Sequence, residues 1–76
     1  MPKLKVLSSK DITKMFSDFG FEHINTKGSH IHMRYRGILA TIPLSAEIPK
    51  GTLKAIYRQA AIVIPKAELD AMFYTK

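Results

Sequence analysis

Seventy-six residues suit one small domain, and 1–76 reads as a single unit with no internal repeat, low-complexity tract or linker. Without cysteine no disulfide reinforces its core; a chain this short has little room for a deep, dry pocket around a small molecule, so a polymer across an open face is the more natural ligand. The net charge of +6, from 12 Lys+Arg against 6 Asp+Glu, attracts polyanions such as RNA, DNA, an anionic membrane or an acidic protein; the apolar run at 60–64 is far too short to cross a bilayer, and with no secretory signal the chain is expected in the cytoplasm.

Residues 1–7 are basic and mixed, and a short extended segment is expected there. Ser8 or Ser9 can cap a helix start, and Asp11 suits the positive end of the helix dipole. Ile12, Met15, Phe16 and Phe19 then follow at i, i+3, i+4 and i+7, one apolar stripe. Gly20 ends that helix by adopting the left-handed conformation cheaply. Residues 21–26 read as a first strand, Lys27-Gly28 as a turn, 29–36 as a second strand, Gly37 as a turn and 38–44 as a third strand. Pro43 sits near the third strand's end, where a missing N–H is tolerated. Residues 45–50 form a loop holding Glu47 and Pro49. A second helix starts near Gly51-Thr52, with Leu53, Ile56, Tyr57 and Ala60 as its apolar stripe and Lys54 and Arg58 four apart on one face. Pro65 interrupts an apolar run, and 66–73 make a last short helix with Leu69, Met72 and Phe73 inward. The order is α-β-β-β-α plus a C-terminal helix: an α+β chain whose three-stranded antiparallel sheet carries its helices on one face.

The second strand holds the chemistry. Successive side chains in a strand alternate faces, so Ile31, Met33 and Tyr35 point one way and His30, His32, Arg34 and Arg36 the other. The first set belongs under the helices; the second lies on the open side unless a one-residue slip or bulge reverses it. Imidazole moves protons near neutral pH and guanidinium holds phosphate, so this face could grip a phosphodiester and cut it. Around it Lys27, Arg34 and Arg36 are phosphate contacts, or else a solvated surface that discourages edge pairing. Lys50, Lys54 and Arg58 form a second basic group; the helix start beside Gly51-Thr52 could also hold phosphate. Lys10 and Lys14 are a third contact or a solvated helix face. His32, about 7 Å from His30 by strand rise, is a second proton-transfer group, a phosphate donor or an ordinary exposed residue. Two histidines with no cysteine or third histidine make a poor metal site, and no metal or small-molecule cofactor is expected. Ser29 reads as a turn hydroxyl, without a relay to make it a nucleophile.

Ser8-Ser9-Lys10-Asp11, the helix ending in Phe19-Gly20-Phe21, Lys27-Gly28-Ser29-His30, Thr41-Ile42-Pro43 and the run from Glu47 to Gln59 together resemble the HicA toxins of HicA–HicB toxin–antitoxin systems. The likeness covers roughly residues 3–62. It implies a fold similar to the double-stranded RNA-binding domain and a ribosome-independent, metal-independent endoribonuclease that cleaves messenger RNA. It also implies a HicB-type antitoxin that covers the active face. The family's catalytic histidine follows Gly-Ser, which is His30 here. Read from charge and position around that histidine, Lys27, Gly28, Ser29, His32, Arg34, Arg36, Lys50, Lys54 and Arg58 are the RNA-contact candidates. Many relatives carry Pro-x-His after the third strand, where this chain has Pro43-Leu44-Ser45. Relatives often end the second helix with Ala-Gly; Ala60-Ala61 here leads to a longer helix, stopped by Pro65. The alternative is a non-catalytic RNA-binding module of the same shape, and a third possibility is a toxin whose activity has decayed.

Overall fold

The first helix, α1 (Ser9–Phe19), starts where its loose backbone groups are satisfied locally. Asp11 N donates to Ser8 Oγ (3.1 Å) and Ser8 N donates back to Asp11 Oδ2 (3.0 Å), a closed capping box. The stripe expected from the sequence is the buried one: Ile12 and Phe16 are fully enclosed, with Met15 and Phe19 packed around them. Gly20 ends the helix at φ 135° and donates to Phe16 O (3.0 Å). A Cβ at this position would stand 2.9 Å from Tyr35 Cε1, so geometry and packing both demand glycine.

The computed structural model describes residues 2–75; Met1, counted in the expected extended segment, and Lys76 lie outside them. Strands β1 (Glu22–Lys27), β2 (His30–Tyr35) and β3 (Ile38–Pro43) form an antiparallel meander in the order β1-β2-β3. Gly28-Ser29 joins the first pair and Arg36-Gly37 the second, both two-residue turns. Arg36 (φ 49°) and Gly37 (φ 80°) are both left-handed, the I′ pattern that matches strand twist. The first strand begins one residue later than expected. Phe21 instead turns inward and stacks on Phe16 at 4.8 Å between ring centroids.

Met33 of β2 with Ala40 and Ile42 of β3 form the sheet's contribution to the core, and α1 packs over β3 together with α2 (Lys50–Ala60). Gln59 of α2 accepts from Thr41 N (3.4 Å) on the outer edge of β3. β1 is different: all six of its residues are exposed, and a bulge between His23 and Asn25 breaks its register. The helices therefore leave one strand of the sheet uncovered on both sides. His23 Nε2 and Thr26 Oγ1, 2.9 Å apart, pair on β1 itself.

The second helix ends at Ala60 and does not run on to Pro65. Pro65 has no N–H for the Ala61 carbonyl, its ring would strike that carbonyl, and it pushes Ile64 out of the helical region. Val63 N and Ile64 N both turn back to Ala60 O (3.0 and 2.8 Å), and Ile64 enters the core. The last helix, α3 (Lys66–Phe73), buries Leu69 and Phe73. Tyr57 Oη donates to Asp70 Oδ1 (2.5 Å), and Lys66 Nζ meets Asp70 Oδ2 (2.6 Å). The segment before α1 pairs with the segment after α3: Lys5 N donates to Phe73 O (2.7 Å) and Thr75 N to Lys3 O (2.8 Å).

Two carboxyls are held below their ordinary value of 3.8: Asp11 chiefly by the Ser8 backbone N–H, Asp70 by Lys66 and then Tyr57. Each titrates lower in the native chain than in the unfolded one. Their contribution to stability is therefore complete above the unfolded value and is lost as pH falls through the native values. The thermal midpoint is expected to drop below about pH 4, and to drop less steeply in the Asp11→Asn, Asp70→Asn double variant. Melting followed by circular dichroism across acidic pH checks this; parallel declines in both proteins would contradict it.

Candidate nucleic-acid interface

The Gly28-Ser29 turn is short because Gly28 takes φ 60° without strain, and nothing lies within 4 Å of where its Cβ would be. Leu44 N donates to Ser29 O (2.7 Å), which pins the turn to the end of β3. Residues paired across an antiparallel ladder share a face. His30 therefore lies between Lys27 of β1 and Pro43 of β3, His32 between Asn25 and Thr41, and Arg34 between Glu22 and Leu39. Met33, Ala40 and Ile42 are buried on the helical side, so these residues occupy the open face.

His30 and Arg34 are exposed; His32 is half-buried, with Nδ1 at 3.5 Å from Thr41 Oγ1, the outer limit of a hydrogen bond. The only ion pair among the described residues is Lys66–Asp70, so no carboxylate is bonded to Lys27 or Arg34. The cations of this face are available to an outside anion. Beside them the face carries apolar surface: Leu39, paired with Arg34, is half-exposed.

Arg36 does not belong to this row. It occupies the turn after β2, with its guanidinium 5.5 Å from the Tyr35 ring centroid. His30 and Tyr35 mark opposite ends of β2, about 17 Å apart at normal strand rise. The alternation expected through residue 36 breaks because the I′ turn claims that residue.

Lys50, Lys54 and Arg58 are exposed on α2, in the helical layer, whereas His30, His32 and Arg34 stand on the far face of the sheet. The two groups meet at one end only. Ser45, just past β3, joins the N-terminus of α1: Ser9 N and Ser9 Oγ donate to Ser45 O (3.0 and 3.3 Å). Ile48 N, just before α2, donates to Leu7 O (2.8 Å), just before α1, so the starts of α1 and α2 and the Gly28-Ser29 turn lie at the same end of the molecule. Asp11 and Ser8 occupy that end of α1, while α2 starts at Pro49 with no side-chain cap.

Ser45 stands where the resemblance leads to a histidine. Its hydroxyl donates to Glu47 O (2.8 Å) and accepts from Glu47 N (3.3 Å), closing its own loop. The Ser9–Ser45 joint and the roles of Pro43, Thr41 and Leu39 as cross-strand neighbours were not foreseen from the sequence. The joint has no local signal, but the neighbours follow from counting back from the two-residue Arg36-Gly37 turn.

Compared with known families, residues 9–62 match the family model described as "HicA toxin of bacterial toxin-antitoxin". No curated protein matches the chain.

Proposed function

The chain belongs to the HicA toxin family, and on that premise we propose that it cleaves messenger RNA without ribosome or metal, using His30 as general acid or base. Membership makes it the toxin of a toxin–antitoxin system, a family of ribonucleases in general, with an antitoxin as partner. The finer reading adds that the antitoxin is of HicB type and covers the open face of the sheet, and that the RNA is cut in the cytoplasm.

The observation that carries this reading is the cross-strand register. It sets the exposed His30 directly beside Lys27, on a face that also carries Arg34 and His32. RNA supplies its own nucleophile, the 2′-OH next to the scissile phosphate. An imidazole that removes that proton, or protonates the departing 5′-oxygen, is sufficient machinery when cations steady the developing charge. Lys27 and Arg34 take that second role, and His32 binds phosphate from its place against Thr41. The Gly28-Ser29 backbone lets the strand approach closely, because Gly28 presents no side chain.

The test is incubation of purified protein with a defined messenger RNA in EDTA, with analysis of the product ends. Fragments ending in 2′,3′-cyclic phosphate and 5′-OH are expected. Ends bearing 5′-phosphate, or an absolute need for Mg²⁺, contradict the mechanism. Intact RNA bound by folded protein favours the non-catalytic module. A separate expectation concerns affinity: Arg34→Ala weakens single-stranded RNA binding and makes its salt dependence shallower by about 0.7 in log–log slope, the loss of one phosphate contact. A filter-binding titration across salt concentrations measures that slope; an unchanged slope removes Arg34 from the interface.

A further inference from the structure

The second helix carries three cations and no carboxylate in the sequence KGTLKAIYRQA. Lys50, Lys54 and Arg58 are all exposed and four residues apart, so they form one row rising about 6 Å per step and about 12 Å in all. None of them takes part in the single ion pair among the described residues. Lys50 also stands in the first helical turn, where the helix dipole disfavours a positive charge, and no acidic residue shares that turn. Arg58, in the last turn, is favoured by the dipole, but Lys50 is set against it and Lys54 has no carboxylate partner. A polyanion laid along the row restores the balance.

The surroundings favour a phosphate backbone over an acidic protein. Protein interfaces are anchored by clusters of aromatic or large apolar residues; beside this row a single large apolar side chain is exposed, Ile62 just past the end of α2, and none on α2 itself. The row also lies in the helical layer, so it cannot touch the nucleotide held against His30. Its Lys50 end, however, adjoins the end of the molecule where the Gly28-Ser29 turn lies.

We propose that the outward row Lys50–Lys54–Arg58 is a second RNA-contact surface, which holds a stretch of the same strand after it has left the open face around that shared end. This rests on the reading of the chain as an RNA-cleaving toxin and adds to it that the strand held is longer than the strand cut. Substrate preference then depends on length, with the row acting on binding and not on the chemical step.

The experiment measures binding of 2′-O-methyl RNA, which lacks the attacking hydroxyl, in a short form of about 4 nucleotides and a long form of about 16, the range covered by small single-strand-binding domains. The wild type is expected to favour the long form. Replacing all three residues by alanine should weaken binding of the long form about tenfold or more and flatten its salt slope by about 2, leaving the short form near wild type. The charge-preserving variant, Lys50→Arg, Lys54→Arg and Arg58→Lys, should keep both. All three positions are exposed, so an unchanged thermal midpoint certifies the fold. Equal loss for both lengths, or a length preference that survives the alanine replacements, overturns the proposal. Wild-type protein that shows the expected length dependence but leaves unmodified RNA intact refutes the nuclease reading and supports the second surface.

Discussion

On the proposed mechanism His30→Ala is expected to lower the cleavage rate by about 10²–10⁴-fold, the usual worth of a positioned acid or base. The residue is exposed and lies on a strand whose other face supplies the core contact through Met33, so the variant should melt within a few degrees of wild type. RNA affinity should also hold, because Lys27, Arg34 and the α2 row remain. That combination of intact fold, intact binding and lost turnover separates an acid–base group from a binding residue. His32→Ala is the companion measurement. With its ring half-buried against Thr41, it is expected to change affinity more than the cleavage rate at saturating RNA. If His30→Ala cleaves as fast as wild type, the mechanism fails at its centre. If His32→Ala alone is inactive, the proton transfer belongs one step along the strand.

Phe16→Ala is the second large effect, and it acts on stability. The ring is fully buried; it stacks on Phe21 at 4.8 Å and meets Phe73 at 6.2 Å. It therefore joins α1, the approach to β1 and α3 in one contact. Removing such a ring costs about 3–5 kcal/mol. A chain of 76 residues has only about 4–11 kcal/mol to lose at the usual stability per residue. The thermal midpoint should fall by at least about 12 °C, and the least stable outcome is a chain with no cooperative transition. Differential scanning calorimetry reads this directly; a shift of a few degrees would mean that the core closes over the gap.

The elements were legible wherever their cause is local. Ser8, Asp11 and Gly20 mark both ends of α1 by hydrogen bonds that span one turn, and α3 falls at residues 66–73 as expected because Pro65 opens it. The open face was legible for His30, His32 and Arg34 because strand alternation is a property of the backbone. It failed at Arg36, where a turn conformation replaces the strand after β2. What escaped the sequence is long-range. The Ser9–Ser45 joint and the pairing of residues 3–5 with 73–75 depend on contacts between distant segments. The exposure of β1 depends on where the helices lie across the sheet, and no pattern inside residues 22–27 records that. The end of α2 lay between: Pro65 was seen, but its steric reach back to Ala61 moves the stop several residues earlier.

The uncovered β1 has a consequence for motion. A strand that buries no side chain is held by its ladder to β2 alone, so its opening exposes little apolar surface and costs far less than global unfolding. In hydrogen exchange β1 is therefore expected to be the least protected strand of the sheet, and β3, packed under α1 and α2 and covered at its edge by Gln59, the most protected. His30 sits between them. On its β3 side the Leu44–Ser29 bond keeps the turn in place; on its β1 side Lys27 belongs to a strand that can lift away. One wall beside the imidazole is thus expected to be fixed and the other compliant; on the proposed function, that would admit RNA strands of different local shape without displacing His30.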